Sequence, residues 1–157
     1  MDNQELSYQN DMENTSFENV YEHYAPALQL KSDRGLLKFV LLTILTFGIY
    51  GIVTYSHISE ELNIVASRYD GQRTMHYMLM TLLAPFTLGI YGLVWMHKLT
   101  KRVGAEVKRR GYDYQFGVKD FWLWNVLGSF IIVGPFIYCN KLLKSMNMIN
   151  ASYNYYG

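Results

Sequence analysis

One cysteine, three prolines and a charged fraction of 17% are the scarcities of this 157-residue chain. A single Cys139 excludes an intrachain disulfide and any zinc site built on cysteines. A soluble domain is ordinarily about 25% charged. The few charges are also unevenly spread: residues 39–56, 77–96 and 121–140 carry none, giving uncharged runs of 18, 20 and 20 residues. No carboxylate falls inside a run, which argues against a transporter coupled to protons or cations. Catalytic patterns are missing as well. There is no HExxH, GxSxG, GxxxxGK[ST] or GxGxxG, and His23, His57, His76 and His97 lack metal-ligand spacing. No enzyme activity, cofactor or metal is therefore expected.

Half of the residues are hydrophobic and 16% are aromatic. A hydrocarbon core about 30 Å thick takes roughly 20 helical residues, so each run is long enough to span it. Three such runs in so short a chain leave too little polar surface to cover them in water. The first run starts at about Leu36 behind an acidic leader, unlike a cleaved signal peptide. Residues 1–30 hold six acidic and no basic residues with weak periodicity, which reads as a disordered acidic tail. Residues 31–157 read as a membrane domain with apolar segments at about 36–57, 77–97 and 121–140.

The segments repeat. Phe47-Gly48-Ile49-Tyr50-Gly51-Ile52-Val53 returns 41 positions later as Leu88-Gly89-Ile90-Tyr91-Gly92-Leu93-Val94. Each segment runs into an amphipathic tail with a stripe at i, i+4, i+7 or i+8: Ile58, Leu62 and Val65; Leu99, Val103 and Val107; Leu142, Met146 and Ile149. Gly71 and Gly111 read as the stops of the first two tails, and residues 151–157 as a frayed end. The fold expected is all-α: a multi-pass helical membrane protein of three repeated units, each an apolar segment plus a tail helix. The alternative is a set of re-entrant helical hairpins broken at the Gly-Ile-Tyr-Gly motifs. Gly48, Gly51, Gly89 and Gly92 serve helix packing in the first arrangement and a hinge in the second.

With spanning helices, the basic residues divide ten to four in favour of the side holding the N-terminus. That predicts a cytoplasmic N-terminus and an external C-terminus. Tyr50, Tyr55, Tyr77, Trp95, Phe121, Trp122, Trp124 and Tyr138 read as interface anchors. Lys38, His57, His97 and Asn140 sit at segment ends. Asn125 lies deeper and is the candidate pore or interhelix polar residue. The tail from His97 to Arg110 is a basic amphipathic helix. Lys98, Lys101, Arg102, Lys108, Arg109 and Arg110 are its candidate contacts to anionic headgroups. With no base-reading module, nucleic acid is not an expected partner.

Leu36-Leu37-Lys38-Phe39-Val40-Leu41-Leu42-Thr43, Thr46 to Gly51, Ile58 to Asn63 and Thr87 to Trp95 carry a resemblance. So do Arg68 to Gly71 and Phe121 to Gly128. Across about Leu30 to Asn154 the chain resembles the bacterial membrane family known as domain of unknown function 4234. The resemblance implies a small multi-pass protein of the bacterial cytoplasmic membrane and no particular activity. Some relatives carry an N-terminal zinc ribbon; residues 1–30 have no cysteine to build one. The expected role is a non-enzymatic adaptor or scaffold holding anionic lipid or a partner through segment 97–110, the partner being another membrane protein or a second copy. The alternative is an oligomeric channel or transporter subunit.

Overall fold

The computed structural model describes residues 28–157, and all the regular structure among them is helical. Helix α1 (Leu36–Leu45) is followed by α2 (Ile49–Asp70), then α3 (Tyr77–Leu83) with a 3-10 turn at Ala84–Thr87, then α4 (Ile90–Arg109). The short α5 (Val118–Asp120) leads into a π turn (Phe121–Val126) and a 3-10 turn (Leu127–Ile131) before α6 (Gly134–Tyr156). The expected acidic tail lies outside the described residues up to position 27. Its last residue, Leu30, is buried.

The apolar segments are not continuous helices. Each one breaks near its middle, and among the described residues no helix is long and apolar enough to cross a membrane. The expected multi-pass arrangement therefore lacks its spanning helices. The cause is local. Phe47 (φ 51°) and Gly48 (φ 93°) are consecutive left-handed residues, and Leu88 (φ 49°) and Gly89 (φ 82°) repeat the pair. Two such residues reverse the chain, and glycine takes the second place without a Cβ penalty. The two turns share their hydrogen bonds. Gly48 N–H donates to Thr43 O at 2.7 Å and Gly89 N–H to Ala84 O at 2.9 Å. The Thr46 hydroxyl accepts from Tyr50 N–H at 2.9 Å, and the Thr87 hydroxyl from Tyr91 N–H at 3.2 Å. The third segment turns at Ile132 (φ 60°), just before α6.

Each segment is thus a helical hairpin closed by nested pairs. In the first, Gly51 lies against Thr43 and Tyr55 against Phe39. In the second, Gly92 lies against Met80 and Trp95 against Tyr77. In the third, Gly134 lies against Gly128 and Trp124 O so closely that any Cβ would overlap them, and Tyr138 packs on Phe121.

The longer arms α2, α4 and α6 run parallel. Contacts between any two advance together along both chains: Asn63 to Arg102 and Tyr69 to Arg109 join α2 and α4. Tyr55 to Cys139 and Glu61 to Asn150 join α2 and α6. Thr100 to Tyr138, and Arg110 just past the end of α4 to Ser152, join α4 and α6. All three hairpin tips therefore lie at one end of the bundle.

The core is built from the tail stripes. Ile58, Leu62, Val65, Leu99, Val103, Val107, Leu142, Met146 and Ile149 are all at most 1% exposed. Gly71 (φ 63°) and Gly111 (φ 76°) close α2 and α4 as left-handed caps. Residues 151–156, expected to fray, continue α6, with Tyr153 buried.

Candidate functional site

The tips form an apolar end that no described residue covers. Phe47 is 98% exposed, Leu88 93% and Ile132 76%; Ile44, Phe86 and Phe130 are exposed beside them. The three left-handed non-glycine residues of the described chain are these same three tip residues. A bulky or β-branched residue at positive φ is strained, and such strain persists only where the surrounding structure holds it. The N–H groups of the tips are nevertheless paired. Thr46 N–H bonds Leu42 O at 3.0 Å, Phe47 N–H bonds Ile44 O at 3.1 Å, and Ile49 N–H bonds Thr46 O at 3.1 Å. Leu88 N–H bonds Pro85 O at 3.3 Å, and Ile132 N–H bonds Ser129 O at 3.3 Å.

The motif glycines divide into two roles. Gly48 and Gly89 form the turns. Gly51 and Gly92 are contact points, where an added Cβ would meet Thr43 Cγ2 at 3.2 Å and Met80 Sδ at 3.6 Å. Asn125 is half-buried in the π turn; its carbonyl accepts from the Ser129 hydroxyl, and its side chain bonds no other described residue.

Half of the expected interface aromatics are core residues instead. Tyr55, Trp95, Phe121 and Tyr138 are buried. Phe39, Tyr55, Tyr77 and Trp95 make one ladder through α1, α2, α3 and α4, with successive ring centroids 6.1, 5.0 and 5.0 Å apart. Trp122 remains exposed and donates its indole N–H to His97 Nδ1 at 3.2 Å. His57 and Asn140 face outward.

The opposite end is polar and clamped by ion pairs. Arg102 points inward. Its Nε and Nη2 hold Asp70 at 2.7 and 3.1 Å, its Nη1 bonds Asn63 Oδ1 at 2.9 Å and Thr74 Oγ1 at 2.5 Å, and its Nη2 also bonds Gln72 O at 2.9 Å. Partial burial pushes the Asp70 carboxyl up. The hydrogen bonds from Arg102 and from Gln72 N–H outweigh it and hold the group below its ordinary value. Glu106 behaves alike: burial opposes its charge, and Arg109 and Arg110 outweigh burial and lower it. The Arg110 side chain is 5% exposed, bonded to Glu106 at 2.8 Å and to Ser152 at 2.7 Å. Arg109 stacks on the Tyr69 ring, 3.5 Å from its centroid. The candidate headgroup residues therefore separate: Arg102 and Arg110 are turned inward, while Lys98, Lys101, Lys108 and Arg109 face outward.

Residues 30–34 lie along α6, held by three asparagines one helical face apart. Asn154 bonds both the N–H and the carbonyl of Leu30, at 2.7 and 2.8 Å. Asn147 does the same for Arg34, at 3.0 and 2.8 Å. Between them, Asn150 donates to Lys31 O and to Glu61 Oε2, both at 2.8 Å. Arg34 then pairs with Glu61 at 2.5 Å. The i, i+3, i+7 spacing of Asn147, Asn150 and Asn154 was the signal available in the sequence for this ladder.

The chain resembles the family described as Domain of unknown function (DUF4234). Its model matches residues 34–105. That stretch holds the first two hairpins and most of α4. The Trp-rich third segment lies beyond it. No curated protein and no solved structure is significantly similar to the chain.

Proposed function

We propose that this is a non-enzymatic membrane-anchored scaffold whose three hairpins dip into one leaflet of the cytoplasmic membrane. The carrying observation is the position of Phe47, Leu88 and Ile132: exposed, left-handed and gathered at one end of three parallel helices. Length supports the single-leaflet reading. The 10-residue α1 is about 15 Å long, and the 11 residues from Tyr77 to Thr87 about 18 Å. Half of a 30 Å hydrocarbon core is about 15 Å. Backbone at that depth needs internal partners, and the turns supply them for their N–H groups. Arms of this length stop near the midplane, so they favour an anchor over a channel subunit lining a through path.

The same geometry grades the basic face. Lys98 and Lys101 lie about 12 and 16 Å along α4 from Ile90, close enough to the edge of the hydrocarbon half for their side chains to reach up to the headgroups. Lys108 and Arg109 lie about 27 Å along it, clear of the lipid, where they suit an acidic partner protein. Both termini of the described chain fall on the polar side, so the C-terminus shares the N-terminal side in this reading.

Two measurements test it. An environment-sensitive probe on Phe47→Cys, Leu88→Cys or Ile132→Cys, each in a Cys139→Ala background, should be quenched best by nitroxides near mid-bilayer. Probes at Lys108→Cys should see water. A C-terminal reporter should be active in the cytoplasm. Tip probes quenched only by aqueous agents, or a C-terminal reporter active outside, would overturn the reading.

A further inference from the structure

A cavity of about 160 Å³ opens between the 72–75 loop and α4. Tyr91, Val94, Trp95, Lys98 and Arg102 line it from one face of α4, at i, i+3, i+4, i+7 and i+11. Along that face the chemistry changes in order: apolar and aromatic toward the tip, then Lys98, then Arg102. The loop contributes Arg73 at the polar side. Arg73 and Lys98 are exposed and have no carboxylate within ion-pair distance among the described residues. Arg102 has its charge offset by Asp70 and its N–H groups already bonded, so it adds no free donor. The cavity therefore carries a net charge of about +2 from Arg73 and Lys98.

The wall is built in advance. Asn63 bonds Thr74 N–H at 2.7 Å and Thr74 O at 2.8 Å, and Trp95 Nε1 bonds Met75 O at 2.7 Å. These bonds fix the loop against α2 and α4, so binding need not order it. A ligand matching this gradient is amphipathic, with an anionic head between Arg73 and Lys98 and an apolar tail running past Trp95 and Val94 toward the tip.

We propose that this cavity binds the phosphate of one anionic phospholipid, selected from the leaflet in which the hairpins sit. The proposal rests on the membrane-anchor reading above. Two cations lining one cavity match the charge of a single phosphate, and the apolar half of the same groove distinguishes a lipid from free phosphate.

The test uses the full chain with Trp122→Phe and Trp124→Phe, which leaves Trp95 as the single tryptophan. It is reconstituted in zwitterionic vesicles containing a few per cent of brominated phosphatidylglycerol or brominated phosphatidylcholine. Phosphatidylglycerol should quench Trp95 at a roughly thirtyfold lower mole fraction, as two surface cations imply. Arg73→Gln/Lys98→Gln should abolish that preference, while Lys31→Gln/Lys108→Gln, an equal charge loss away from the cavity, should keep it. Helicity by circular dichroism and vesicle flotation are followed for each variant. Failure to float overturns both this proposal and the anchor reading. Flotation with equal quenching by both lipids overturns this proposal alone. Loss of the preference in 10 mM inorganic phosphate at constant ionic strength makes the cavity a free-anion site and overturns the lipid assignment.

Discussion

Arg102 grips both oxygens of Asp70 across the α2–α4 interface, Nε to Oδ2 at 2.7 Å and Nη2 to Oδ1 at 3.1 Å. Arg102→Leu removes this fork and strands the Asp70 carboxylate and Thr74 Oγ1, in a site where the arginine side chain is 7% exposed; Asn63 Oδ1 keeps the Thr74 N–H and Gln72 O keeps the Ser67 hydroxyl. A loss of about 3 kcal/mol in unfolding free energy is expected, since breaking a buried pair strands the other partner. Asp70→Asn should cost about 1 kcal/mol, because that carboxylate is 30% exposed and partly screened. Urea unfolding of the detergent-held protein decides it; an Arg102→Leu protein as stable as the parent would show the clamp to be idle.

The pH dependence follows from the same residue and from Glu106. Both carboxyls sit below their ordinary values in the folded chain. The unfolded chain then binds protons first as pH falls. The stabilisation is complete above the unfolded carboxylate values near pH 4 and is lost as pH drops through the lower folded values. Melting temperature should be flat from about pH 8 to 5 and fall below about pH 4. Asp70→Asn should make that fall shallower. A stability that rises on acidification would contradict the two clamps.

Much of this bundle was legible in the sequence because burial in water leaves a helical period. The nine stripe residues from Ile58 to Ile149 are the core, and Gly71 and Gly111 end their helices. The broken segments were not resolved between the two readings. A hairpin arm that faces lipid and a spanning helix have the same apolar composition, and only the backbone at Phe47-Gly48 separates them. The aromatic residues misled for a related reason. Tyr55 and Trp95 stand where interface anchors would, yet rings packed between two arms have the same sequence positions as rings in a headgroup belt. Arg102 looked like one more surface cation because its partners come from α2 and the following loop, 28 to 39 residues away.

The glycines should rank by what a Cβ would meet. At Gly104 it would lie 2.5 Å from Phe116 O and 3.1 Å from Gly117 Cα, both backbone atoms that cannot step aside. Gly104→Ala should therefore cost about 2–3 kcal/mol. Gly134→Ala, against Gly128 and Trp124 O, should cost at least as much. Gly92→Ala meets only a methionine sulfur at 3.6 Å and should be near neutral. Gly48→Ala has open space but a φ of 93°, so about 1 kcal/mol of backbone strain is expected. Thermal melts of the four variants test the order; a Gly92→Ala protein less stable than Gly104→Ala would refute it.

The asparagine ladder predicts where local opening starts. Asn154→Ala removes both bonds to Leu30, and Asn147→Ala both bonds to Arg34. Each should raise hydrogen exchange at residues 30–34 by roughly tenfold, about 1.4 kcal/mol of local opening, with α4 unaffected. Asn150→Ala also frees Glu61 Oε2, so it should weaken the Arg34–Glu61 pair and the global stability together. Exchange that rises uniformly over the whole chain in all three variants would mean that the segment and bundle unfold as one unit.

In the anchor reading, the tips should separate stability of the fold from affinity for lipid. Phe47 has a φ of 51° and is 98% exposed, so its ring touches almost nothing among the described residues. Asparagine and aspartate tolerate left-handed backbone better than phenylalanine. Phe47→Asn should therefore leave the fold as stable or up to about 1 kcal/mol more stable in detergent. Phe47→Asp should weaken vesicle partitioning by about 100-fold, since a carboxylate at bilayer depth costs about 2.5–3.5 kcal/mol. Leu88→Asp should act alike, because Leu88 holds the same place in the second turn at φ 49°. Lys108→Glu, far along α4, should change partitioning little. Opposite signs for stability and partitioning at one residue would explain why a strained position keeps a phenylalanine. Parallel losses of both at Phe47 would instead make its ring part of the fold, and the hairpin tips would no longer argue for lipid.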